Sequence, residues 1–132
     1  MTSFSGIEVQ VMSTHVDLFG HLNHARYLEY LEWARFAWAA HHGFPIEKMV
    51  EEGYGPAIVR ANVTWRRECR LGDKLRVTVQ PLSARRGIGK LHQEVWKGEE
   101  LCLEAEMSFV MFDLKARKAL ELPETFLALV RE

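Results

Sequence analysis

Residues 16–35 read VDLFGHLNHARYLEYLEWAR, from Val16 to Arg35. An acid, a glycine turn, two histidines and an asparagine stand directly ahead of a long apolar run. Asn23 is a good N-cap candidate, because its short side chain can accept from the first unpaired N–H groups of a helix. The spacing then predicts a helix to about His42, closed by Gly43 with Pro45 just beyond. Between Ala25 and Ala40 only Arg26, Glu29, Glu32 and Arg35 are charged. They recur at every third residue and form one narrow stripe. Tyr27, Leu28, Tyr30, Leu31, Trp33, Phe36 and Trp38 occupy the other faces. A helix apolar over most of its circumference is expected to be buried over most of it. In a chain of 132 residues, a curved sheet wrapped round the helix is what can bury it.

The rest of the chain supplies strands. Ile7 to Met12, Ala57 to Trp65, Lys74 to Leu82 and Lys90 to Lys97 alternate apolar with polar residues, and Leu101 to Phe112 is a long apolar strand. Gly72–Asp73, Arg86–Gly87 and Lys97–Gly98 mark turns between them. Pro123 to Val130 reads as a short terminal helix opened by a proline. No repeat, linker or low-complexity tract divides the sequence. The expectation is one α+β domain over residues 1–132, a long central helix wrapped by a five-stranded antiparallel sheet.

Bulk properties exclude several function classes. The formal net charge is −1, so nothing draws the whole chain to nucleic acid or to an anionic membrane. The local basic groups, Arg66–Arg67–Arg70 and Arg85–Arg86, are not interleaved with stacking aromatics, and no nucleic-acid partner is expected. Cys69 and Cys102 form neither a metal-ligand pair nor a disulfide framework; reduced thiols in the cytoplasm are the simplest reading. The first residues lack a basic segment followed by an apolar core, and no uncharged run approaches the roughly 18 residues of a membrane helix.

The chemistry concentrates between Asp17 and His24. Free backbone N–H groups and the positive end of a helix dipole collect where the helix begins, a setting that suits an oxyanion or a phosphate. Asp17 could equally cap a turn, a common use of aspartate ahead of a helix. His15, Asp17, His21 and His24 fit no compact zinc spacing, and a helix N-terminus repels a cation, so no metal is expected. Glu29 and Glu32 share a stripe with Arg26 and Arg35, which points to ion pairing.

Asp17-Leu18-Phe19-Gly20-His21-Leu22-Asn23-His24, followed by Ala25-Arg26-Tyr27-Leu28-Glu29-Tyr30, resembles the signature of the 4-hydroxybenzoyl-CoA thioesterase branch of the hotdog-fold acyl-CoA thioesterases. In that branch an acid and two residues precede Gly-His-Val-Asn-Asn, then Ala-Arg-Tyr-Leu-Glu-Tyr. Asp113-Leu114 and Leu120-Glu121-Leu122-Pro123 are also similar to the family. The resemblance implies a hotdog fold that hydrolyses a coenzyme A thioester to the free acid and CoA, with no metal or redox cofactor. It implies that Asp17 is the catalytic carboxylate, attacking the carbonyl or activating water, and that His21 orients the loop or positions substrate or water. Backbone N–H groups of Asn23 and His24 would form the oxyanion hole. Arg85, Arg86 and Lys118 would contact the CoA phosphates. The resemblance further implies a homo-oligomer, a dimer joined edge to edge at least and a tetramer of paired dimers, with the site between subunits. Two positions depart from the pattern. His24 replaces a second asparagine, and His15 stands where many members carry another aspartate. The alternative reading is a non-catalytic hotdog protein that binds an acyl thioester. A hotdog dehydratase ranks lower, since Asn23 stands where its Gly-x-x-Pro turn needs proline.

Overall fold

The computed structural model describes residues 3–131. The chain runs β1 (Ile7–Gln10), a 3₁₀ turn at Ser13–His15, α1 (Arg26–His41), α2 (Ile46–Glu51), β2 (Tyr54–Trp65), β3 (Lys74–Val77), β4 (Gln80–Arg85), β5 (Ile88–Lys97), β6 (Glu100–Asp113), β7 (Lys118–Leu120) and α3 (Glu124–Arg131). One antiparallel sheet takes the order β1-β3-β5-β6-β2, with β4 beside β5 and β7 beside β6. The α+β architecture is as expected, but the sheet has seven strands rather than five. The extra count has a local cause. The strand expected over Lys74–Leu82 is interrupted at Thr78, whose hydroxyl accepts from the Glu94 N–H at 3.1 Å. The Thr78 carbonyl is thereby left to accept from Gln93 Nε2 at 3.3 Å. β3 and β4 therefore share one lane along β5, and β7 extends the β5 lane beyond Ile88. β7 and α2 carry no expectation from sequence, because three and six residues are too short to display a period.

Helix α1 lies in the concave side of the sheet. Tyr27, Tyr30, Leu31, Ala34, Trp38 and Ala39 are buried there. Its opposite side is not covered: Leu28, Trp33 and Phe36 remain about two-fifths exposed (41%, 42% and 41%). The expectation of a helix buried over most of its circumference therefore fails within a single chain, because the sheet curls round only one side of it. Alternate residues of β5, from Gly89 to Val95, form the floor. Gly89 is required by packing: a Cβ there would lie 2.5 Å from Phe109 Cε1 and Cζ and 3.1 Å from Phe126. The Phe109 and Phe126 rings meet edge to face at 5.1 Å over this glycine, which seats α3 on the sheet. The β4–β5 turn puts Arg86 and Gly87 at φ 54° and 78°, the positive pair of a type I′ hairpin.

Gly89→Ala is expected to destabilise the fold by about 1–3 kcal/mol through overpacking against two buried rings. A lower denaturant midpoint at unchanged m-value checks this; an unchanged midpoint would show that Phe109 and Phe126 move aside at no cost.

Candidate active site

Residues 16–22 form a tight hairpin ahead of α1. Val16 pairs with Leu22, the Asp17 N–H donates to the His21 carbonyl at 2.9 Å, and the Gly20 N–H donates to the Asp17 carbonyl at 3.0 Å. Gly20 takes φ 80°, which the turn demands and glycine supplies without strain. The Phe19 N–H binds Asp17 Oδ1 at 2.9 Å. That bond spends one carboxylate oxygen on the turn, as the capping reading of Asp17 anticipates. The second oxygen has no hydrogen-bond partner among the described residues. At the hairpin tip Leu18 is fully exposed and Phe19 four-fifths exposed. The tip thus presents two apolar side chains to water beside a half-buried carboxylate.

The hairpin is fastened to the loop after β2. The Leu22 N–H donates to the Cys69 carbonyl at 2.7 Å, and His21 bridges Arg70 through the backbone. Asn23 is not the N-cap, a correction to the sequence reading: α1 begins at Arg26 with Ala25 at the cap position. Asn23 still satisfies an early donor, since its Oδ1 accepts from the Ala25 N–H at 2.9 Å. Its own N–H donates to the His15 carbonyl at 2.9 Å. The expectation that this amide faces an oxyanion is corrected for that reason. The His24 N–H has no acceptor among the described residues, and it lies two residues before the helix. The His24 carbonyl accepts from Trp65 Nε1 at 3.3 Å, and the two rings meet edge to face at 6.2 Å.

Asp17, His21 and His24 thus border one open hollow of about 410 Å³, whose far wall is Trp65, Arg66, Arg67 and Glu68. Glu68 escapes the sequence reading. Its only signal is a lone carboxylate inside the run Arg66-Arg67-Glu68-Cys69-Arg70. Glu68 Oε2 lies 2.6 Å from His21 Nε2, and its Oε1 takes Arg70 Nη2 at 2.7 Å. The Arg70 hydrogen bond holds the Glu68 carboxyl below its ordinary range. His15, from the 3₁₀ turn, bonds through Nδ1 to the Tyr30 hydroxyl at 2.7 Å. Tyr30 is completely buried, and burial pushes its phenol up to about 12, so the hydroxyl keeps its proton. Arg26 and Glu29 form the expected helix pair at 2.7 Å. Arg35 instead reaches inward to Gln93 Oε1 at 3.0 Å. Among the described residues no group of three or more His, Cys, Asp or Glu side chains could hold a metal ion. No helix among them is long and apolar enough to cross a membrane.

Arg85, Arg86 and Lys118 are brought together with one another but not with Asp17. The hollow abuts Trp65, whose β6 partner is Leu103, whereas the β4–β5 turn stands at Val110. The seven residue steps from Leu103 to Val110 span about 23 Å of strand. At that far end Arg85, Arg86, Lys115, Arg117 and Lys118 are all exposed, and none has a carboxylate within 4 Å among the described residues. The same end holds an apolar cavity of about 230 Å³ between α1, α2, α3 and the start of β2. Trp38, Met49, Pro56, Phe109 and Phe126 are among its walls.

Residues 11–130 match the sequence profile of the thioesterase-like superfamily. FadM, a long-chain acyl-CoA thioesterase of Escherichia coli, is 32% identical over 117 residues, which are 87% of this chain and 88% of that protein. The crystal structure of YbaW, a probable thioesterase from Escherichia coli, is 30% identical and superposes with a TM-score of 0.83, covering 96% of this chain and 99% of the other. Slr0204, a 1,4-dihydroxy-2-naphthoyl-CoA thioesterase from Synechocystis, superposes with a TM-score of 0.85 at 20% identity over 96% and 94% of the two chains, a likeness of fold.

The Glu68 assignment is directly testable. Arg70→Ala is expected to raise the Glu68 carboxyl toward its ordinary range, followed by NMR titration of the side-chain carboxyl carbon. Because folding lowers this group, its contribution to stability is present above the unfolded carboxyl range and is lost as pH falls. An unmoved Glu68 titration would show that Arg70 is not the cause.

Proposed function

The chain belongs to the thioesterase-like superfamily and carries its hotdog fold, and from that premise we propose that it is an acyl-CoA thioesterase with Asp17 as catalytic carboxylate. The observation that carries the reading is the free Asp17 oxygen, which shares one hollow with the unpaired His24 N–H at the start of α1. A thioester carbonyl becomes an oxyanion as water adds to it. The His24 amide and the positive end of α1 are suited to receive that charge. Asp17 takes the proton of the attacking water. The C–S bond then breaks, and the departing thiolate takes the proton back, leaving free acid and CoA.

The functional unit in this proposal is a dimer joined along β2. That strand is a twelve-residue sheet edge with Ile58, Val59 and Trp65 exposed, a row that soluble proteins do not leave open. The hollow adjoins the Trp65 end of β2 and the apolar cavity adjoins the Gly55 end. Ten residues, about 33 Å of strand, separate them within one chain. A two-fold axis through the middle of an antiparallel β2 pair brings opposite ends together. Asp17 of one copy then faces the cavity and the Arg85–Arg86–Lys118 cluster of the other. In that arrangement the cations meet the CoA phosphates and the apolar cavity receives the acyl group. The exposed Leu18–Phe19 tip is covered by the second copy.

Asp17→Asn is expected to lower kcat about 10²- to 10⁴-fold on the best substrate of an acyl-CoA panel, while acyl-CoA binding persists. Wild-type turnover in this variant would remove Asp17 from the chemistry; binding without hydrolysis by the wild-type chain would favour the non-catalytic alternative. Arg85→Ala/Arg86→Ala is expected to raise KM. Mixing its subunits with Asp17→Asn subunits is expected to restore activity, because one composite site per mixed dimer regains both parts. Absence of recovery would place Asp17 and the arginines in a common chain's site.

A further inference from the structure

The side chain that the hollow contains beyond any expectation is Glu68. Its carboxylate is divided between two partners, with Oε1 accepting from Arg70 Nε and Nη2 at 3.2 and 2.7 Å and Oε2 meeting His21 Nε2 at 2.6 Å. Both ends of the His21–Glu68 contact stand on backbone that is itself tied. The His21–Arg70 bridge and the Leu22 N–H to Cys69 carbonyl bond join the two loops on either side of it. Two flexible side chains meeting by chance on a surface would have no such frame.

We propose that Glu68 is a positioning residue that fixes the ring of His21 for the thioesterase reaction, an inference that rests on the reading of the hollow given above. A carboxylate only accepts hydrogen bonds, so the nitrogen facing it carries the proton. With Nε2–H directed at Glu68, the neutral ring keeps its lone pair on Nδ1. Nδ1 then accepts one O–H of the attacking water while Asp17 takes the other proton. The retained hydrogen stays on the oxygen that becomes part of the product acid. This is the arrangement of a base held in one tautomer by an acid behind it. Asp17 thus performs the proton transfer, and His21 orients the water.

The charged groups around His21 have their own partners. Glu68 faces Nε2, and Arg70 stands behind Glu68. Asp17 lies in the same hairpin, and Arg66, Arg67 and His24 border the same hollow. Lys97 acts on Glu68 through charge, although its ammonium pairs with Asp73 at 3.5 Å. Arg66 and Arg67 are engaged by Glu104 and Glu100. Glu68 is the one carboxylate among them in direct contact with the His21 ring.

The experiment compares full-length wild type, Glu68→Gln, His21→Asn and the double variant on one acyl-CoA substrate. Glu68→Gln is expected to lower kcat about tenfold with KM little changed. In the His21→Asn background the same change is expected to have no further effect on kcat. An unaltered kcat in Glu68→Gln overturns the proposal, as does an equal loss with and without His21. Wild type that fails to hydrolyse any acyl-CoA would overturn the thioesterase reading itself, a result distinct from an active enzyme indifferent to Glu68.

Discussion

The register of α1 on the sheet is set by a single buried side chain. Gln93, in the middle of β5, has no solvent exposure. Its amide donates to the Leu31 carbonyl of α1 at 3.0 Å and to the Thr78 carbonyl at 3.3 Å, while its oxygen accepts from Arg35 at 3.0 Å. The aromatic and aliphatic residues of α1 could bury themselves at many rotations and offsets, because hydrophobic burial has no direction. The bonds to Gln93 exist at one offset only, and leaving a buried amide unsatisfied costs about 1–3 kcal/mol. That offset determines where the helix starts, and so where the His24 amide stands relative to Asp17. The burial that lowers the basicity of Arg35 is part of the same network, with the guanidinium desolvated beneath the helix.

Much of this was readable from residue order. The long apolar helix, the principal strands and their turns follow from periods of 3.6 and 2 and from glycine punctuation, and the hairpin before α1 is where Asp17 and Gly20 require it. The divided β3–β4 lane was not readable, because it depends on the Thr78 hydroxyl replacing a backbone acceptor across the sheet. Nor was the loss of the Asn23 amide, which depends on the His15 carbonyl folding back over eight residues. Glu68 was hidden for the same reason: its partner His21 is 47 positions away in sequence (68 − 21) and adjacent in space. Alternation and capping are local properties, whereas hydrogen bonds between loops belong to the tertiary arrangement.

Several of the exposed apolar groups fall on α1, β2 and the hairpin. Leu28 and Phe36 on α1, Ile58, Val59 and Trp65 on β2, and Leu18 and Phe19 in the hairpin are all uncovered. The other side of the sheet, by contrast, is broken into short edges: β1 of four residues, β4 of six and β7 of three. A short edge blunts unwanted pairing, while a twelve-residue edge with branched and aromatic side chains invites it. The proposed dimer uses the long edge, and the same pairing brings the cavity to the hollow. In that proposal stability and site assembly depend on one seam, and a substitution in the middle of β2 would act on turnover without touching substrate.

The arginines fall into two groups by their partners. Near the hollow, Arg66, Arg67 and Arg70 are each engaged by a carboxylate, from Glu104, Glu100 and Glu68. A phosphate approaching them would have to displace those groups and would gain little net charge contact. At the other end of the sheet, Arg85 and Arg86 carry no such partner, and Arg117 packs its guanidinium 5.1 Å from the Phe112 ring. Arg86 and Arg117 both hold positive φ, 54° and 59°, where a residue other than glycine carries conformational strain. Both values belong to turns, the β4–β5 hairpin at Arg86 and the β6–β7 turn at Arg117. With Lys118 these exposed cations form an unneutralised basic edge in a chain whose total charge is −1. The overall charge therefore says nothing about polyanion binding here; the pairing of each arginine does.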